Sequence, residues 1–106
     1  MDEDSSRPRI AELAQGIAEG RLDFLEGVRL IASLRAGLSK PDMADPDLLI
    51  LMGVESELER IPTGAARAQW DPSYLAALDT EKHRYYESCS EDILRACRAL
   101  TAKWNG

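Results

Sequence analysis

Gly53-Val54-Glu55-Ser56-Glu57-Leu58-Glu59-Arg60-Ile61-Pro62-Thr63-Gly64, followed by Trp70-Asp71-Pro72, is the junction on which the reading of this chain turns. Upstream lies the most apolar run, Leu48-Leu49-Ile50-Leu51-Met52, and downstream no glycine or proline interrupts residues 73–105. Ile61-Pro62-Thr63-Gly64 breaks a helix, because proline lacks an amide hydrogen and its ring clashes with the preceding turn. Asp71-Pro72 then opens another: aspartate accepts from the free first-turn amides, and proline at the first helical position has no amide to leave unpaired. Asp45-Pro46 carries the same signal ahead of the apolar run.

Working outward, five consecutive apolar residues are compatible with a buried strand, since they have no diagnostic period. The start at Asp45-Pro46 favours a helix, the most central of the chain, with Leu49, Ile50 and Met52 in the core. Residues 63–69, with Ala65, Ala66 and Ala68, are expected to add one or two helical turns. The last helix takes Leu75, Leu78, Tyr85, Cys89, Ile93, Cys97, Leu100 and Trp104 as its stripe and runs for up to ~32 residues, or ~48 Å. A break near Ser88-Cys89-Ser90 is an alternative, because Ser90-Glu91-Asp92 has the form of a fresh cap with acids in the first turn.

Toward the N-terminus, Asp23 with Glu26 three residues on is a capping box, with Leu22 stapling onto Gly27-Val28 or the next turn. Phe24, Leu25, Val28, Ile31, Ala32 and Leu34 line that helix, Arg29 and Arg35 lie outside it, and Gly37 is its expected stop. Ser6 and Pro8 open an earlier helix along Ile10, Leu13, Ala14 and Ile17, which Gly20 closes. The short link at 20–22 makes these two an antiparallel pair. Residues 38–44 read as the longest loop, and residues 1–6 as a disordered tail.

The fold class is therefore all-α, one domain over residues 1–106: a compact bundle of four principal helices, with a short extra helical turn before a long C-terminal helix. Composition agrees, since 44% hydrophobic residues beside 30% charged ones mark a globular chain. A net charge of −6 argues against sequence-independent nucleic-acid binding, which needs clustered Lys and Arg; it fits basic partners better, and a modest negative charge spread along the chain is also what keeps a small domain soluble. No apolar run approaches the ~20 residues of a membrane span, and the N-terminus is acidic, so a cytoplasmic protein is expected. Cys89 and Cys97 lie eight apart on one helix, ~12 Å, too far for a bridge.

At Gly53-Val54-Glu55-Ser56-Glu57, Ile61-Pro62-Thr63-Gly64, Arg67 and Trp70-Asp71-Pro72, and again at Leu22-Asp23-Phe24-Leu25-Glu26-Gly27-Val28-Arg29, the sequence resembles a family of small bacterial helical proteins of unknown function. The similarity spans most of residues 22–100. It implies helix boundaries and no activity.

The candidate partner-binding residues are Glu55, Glu57, Glu59, Arg60, Arg67, Trp70 and Tyr86. Acids at a helix C-terminus oppose the macrodipole, so a reason outside the helix is worth seeking. Trp70 is expected to pack over a helix junction, and of Tyr85 and Tyr86 one ring is expected inward and Tyr86 outward as an anchor. These features point to a small acidic protein-protein interaction module, in its sharpest form an immunity or antitoxin-like protein occluding a basic bacterial toxin. A homodimer through Tyr86, Cys89, Ile93, Cys97, Leu100 and Trp104 is a second expectation. The alternative is a metal-binding carboxylate bundle or small enzyme: Asp79, His83 and Glu87, spaced four apart, share a helix face and offer an O-N-O row. The Glu-x-x-His pair of di-iron bundles is absent, Ser56, Ser88 and Ser90 lack a nucleophile-elbow context, and no cofactor motif is present.

Overall fold

Four short-range caps start four of the helices. In a computed structural model that describes residues 3–105, the Asp23 carboxylate accepts from the amides of Leu25 and Glu26, Asp45 from Asp47 and Leu48, and Asp71 from Ser73 and Tyr74. Ser39 does the same for Asp42. The elements are α1 (Glu3–Ala18), α2 (Phe24–Leu34), α3 (Lys40–Met43), α4 (Pro46–Glu57) and α5 (Pro72–Trp104), with 3₁₀ segments at Arg35–Gly37 and Gly64–Gln69. No strand occurs among the described residues, and none of their helices is long and apolar enough to cross a membrane. The 3₁₀ segment at Gly64–Gln69 is the expected extra turn, and α5 runs unbroken through Ser88–Ser90.

Two expectations need correction. The 38–44 segment is not all loop, because Ser39 and Pro41 nucleate α3. The expected tail is helical from Glu3, and Ser6 lies inside α1 at 1% exposure rather than capping it; Met1 and Asp2 lie outside the described residues. A Cβ placed at Gly37 would stand 2.5 Å from Ser6 Oγ, so this glycine permits a close approach of α1 to the 3₁₀ segment that follows α2.

The turn between α1 and α2 is set by Gly20 at φ 75°, a conformation that costs a residue with a Cβ. Arg21 N donates to Gly16 O at 2.9 Å and Gly20 N to Ile17 O at 3.1 Å, satisfying the last carbonyls of α1 in a Schellman arrangement. Gly27 then lets the two helices meet: a Cβ there would lie 2.6 Å from Ile17 Cδ1 and 3.0 Å from Leu22 Cδ2. Leu22 is thus seated where the staple places it.

The core gathers Ile10, Leu25, Ile31, Leu48, Leu51, Ile61, Ile93 and Leu100, all under 2% exposed. α1 lies against α5 and α2, and α4 against α5 and α2. Leu78 and Ile93 are buried as expected, whereas Ile50 and Met52 are half-buried and Leu49 is 45% exposed. The physical reason is phase: α2 and α5 cover Leu48, Leu51 and Val54, and Leu49, one residue on from Leu48, is turned ~100° away. The C-terminal stripe of α5 is covered within the chain. Ile93, Cys97, Leu100 and Trp104 are buried, and Tyr86 and Cys89 half-buried, so this stripe does not present the apolar face a homodimer through it was expected to use. Both cysteines are free; burial pushes the Cys97 thiol up to about 12 and raises that of Cys89.

Candidate interaction surface at the end of α4

The crossing from α4 to α5 is held by three arginines. Arg29, on α2, donates through Nη2 to Leu58 O at 2.8 Å and Glu59 O at 3.3 Å, and through Nη1 to Thr63 Oγ1 at 3.0 Å. A guanidinium at a helix C-terminus satisfies free carbonyls and complements the negative end of the dipole. Arg67 forms a bidentate pair with Asp79 at 2.8 and 2.7 Å, and Arg60 pairs with Glu81. Ile61 is buried beneath the crossing at 1% exposure. The Arg67 guanidinium holds the Asp79 carboxyl below the usual carboxylate range, and Asp79 in turn raises Arg67.

The same contacts pass by the carboxylates of Glu55 and Glu57 in α4 and of Glu59, two residues beyond its end. Glu57 and Glu59 are exposed and Glu55 half-buried, and among the described residues no ion pair involves any of the three. The charge of Glu57 reaches Tyr85, whose phenol is raised first by burial, then by Cys89, and further by that carboxylate. Arg60, next to Glu59 in sequence, and Arg67, seven residues further on, are both committed to α5.

Trp70 does not pack over the junction as expected. It is 38% exposed and stacks on Tyr74, itself 51% exposed, with centroids 5.4 Å apart and planes at 14°. Tyr86 departs from expectation in the other direction: its ring lies 4.6 Å from that of Phe24, closing the junction of α2 with α5, and Tyr85 and Tyr86 are both half-buried. Lys82 completes this contact, 3.3 Å from Asp23 and 6.0 Å from the centre of the Phe24 ring. The sequence offered no sign of Tyr74 or Arg29 as parts of this region. Arg29 was placed outside its helix stripe, which is correct, but its carbonyl partners lie about thirty residues away.

The O-N-O row exists on α5 and is divided between other partners. Asp79 is taken by Arg67, while His83 and Glu87 pair with each other at 2.8 Å and are exposed. No group of three metal-ligand side chains converges among the described residues. Neither a family model, a curated protein nor a solved structure matches the chain, so the resemblance to a small bacterial family rests on the residues quoted for it.

Proposed function

We propose that the protein is a small acidic interaction module whose recognition edge is the end of α4, with Glu55, Glu57 and Glu59 as the charged contacts and a basic protein as the partner. Its most specific form is an immunity or antitoxin-like role, in which the acidic edge occludes a basic bacterial toxin. One observation carries the reading. Three carboxylates sit at the helix end where the dipole disfavours them, while the cations around them are bound elsewhere in the fold. A basic partner would supply the missing countercharge. The Trp70 and Tyr74 pair adds exposed aromatic surface at the start of α5, of the residue types enriched in binding hot spots. In architecture the chain is proposed as a bundle of four principal helices, α1, α2, α4 and α5, in a cytoplasmic protein.

The test is retention of basic proteins on the immobilised chain at low salt, compared with the double variant Glu57→Lys/Glu59→Lys. Loss of specific retention with an unchanged helical circular dichroism spectrum supports the reading; identical profiles contradict it.

A further inference from the structure

α4 is apolar almost all round, the character of a helix buried on every side, yet this fold leaves one of its faces open. Leu48, Leu51 and Val54 are covered by the chain; Leu49 is 45% exposed. At 3.6 residues per turn Leu49, Met52, Gly53 and Ser56 share the outward face. Gly53 is exposed, and a Cβ built there meets nothing within 4 Å. A mid-helix glycine weakens the helix, and this one is not explained by any neighbour in the chain. What it does provide is a place where a second backbone can approach closely. Beside it, Met52 lines an open cleft of about 410 Å³ with Ala32, Arg35, Ala36 and Met43, a methionine-lined recess able to adapt to an apolar side chain.

We infer that this face of α4 seats an amphipathic helix of the partner, with an apolar stripe over Leu49, Met52 and Gly53 and lysine or arginine residues lying by Glu57 and Glu59. The inference rests on the interaction reading above and specifies the partner's binding element. Charge decides between a foreign helix and a second copy of this chain. An antiparallel copy crossing at Gly53 sets Glu57 over Leu49 rather than over a cation, and Lys103, which bridges Asp45 and Asp47 at 2.7 Å, is already engaged. A parallel copy sets the same acids against themselves. A basic helix supplies the countercharge that neither copy offers and follows the helix-in-groove mode, with anchors spaced i, i+3, i+4 and i+7.

The experiment titrates ¹⁵N-labelled protein with a synthetic 18-residue helical peptide carrying leucine and alanine at that spacing and lysine elsewhere, beside a matched peptide carrying glutamate. The lysine peptide is expected to shift the amides of Leu49, Met52, Gly53 and Ser56, and the glutamate peptide to leave them in place. Gly53→Phe is expected to weaken the lysine peptide at least tenfold with the melting temperature held or raised, since the added side chain enters open space. Shifts confined to other residues, or full affinity in Gly53→Phe, overturn the inference. If Gly53→Phe binds normally while Glu57→Lys/Glu59→Lys does not, the helix face is wrong and the acidic edge stands; if neither variant loses binding, both readings fall. Sedimentation showing a wild-type dimer that Gly53→Phe dissociates assigns the face to a second copy instead.

Discussion

Replacing Leu51 and Leu49 in turn by alanine reads the rotational phase of α4 directly. Leu51 is 0% exposed and joins the core with Leu48 and Val54, whereas Leu49 is 45% exposed on the opposite side. A fully buried Leu→Ala change costs ~2–5 kcal/mol, because the lost transfer energy is joined by the cavity left behind. Leu49 leaves no enclosed cavity and retains roughly half its contact with water, so its loss should cost about 1 kcal/mol or less. At ~4–8 °C per kcal/mol for a domain near this size, Leu51→Ala should lower the melting temperature by ~10 °C or more and Leu49→Ala by only a few degrees. Urea denaturation followed by circular dichroism supplies the free energies, provided the slopes remain equal. Equal losses, or a larger loss at Leu49, would show that α4 is rotated from the placement described and would remove the outward face with it.

Gly27→Ala should destabilise by ~1–3 kcal/mol, since its new methyl would meet Ile17 at 2.6 Å, while Gly53→Ala should stabilise by ~0.5–1 kcal/mol; thermal melts of the two variants check the contrast. Asp79→Asn should lower stability at neutral pH and converge with the wild type in acid. The sign follows from a carboxyl held below its ordinary value in the folded state: its contribution is present above the unfolded value and is lost as pH falls through the lowered one. A stability difference that grows on acidification would refute the Arg67 and Asp79 pairing.

Helix starts were legible because their causes are local. Asp23, Asp45 and Asp71 each cap amides within three residues, and Gly20 closes a helix through bonds that span three and five residues. α3 was missed although Ser39 and Pro41 carry a start signal, because four residues show no apolar period to extend it. The phase of α4 was not legible for the opposite reason: a run of five apolar residues looks alike from every side, and which side is covered is settled by where α2 and α5 lie. The acids of the candidate edge could be read from sequence, but their lack of a countercharge could not. That depends on Arg60 reaching Glu81 and Arg67 reaching Asp79, pairings twenty-one and twelve residues apart that adjacency in the chain does not suggest.

The melting temperature of Glu57→Lys/Glu59→Lys, set beside that of Arg29→Met, tests most directly whether the end of α4 serves recognition or architecture. The arginine ties two backbone carbonyls and a threonine hydroxyl across the crossing, and its removal should cost ~1.5–3 kcal/mol. Among the described residues the acids form no ion pair, and they oppose the helix dipole, so their reversal to lysine should leave the melting temperature unchanged or raise it, with a gain in stability of ~0.3–1 kcal/mol per charge at low salt. A double reversal that lowers the melting temperature as far as Arg29→Met does would show that these carboxylates hold the crossing together, and would contradict their assignment to a partner.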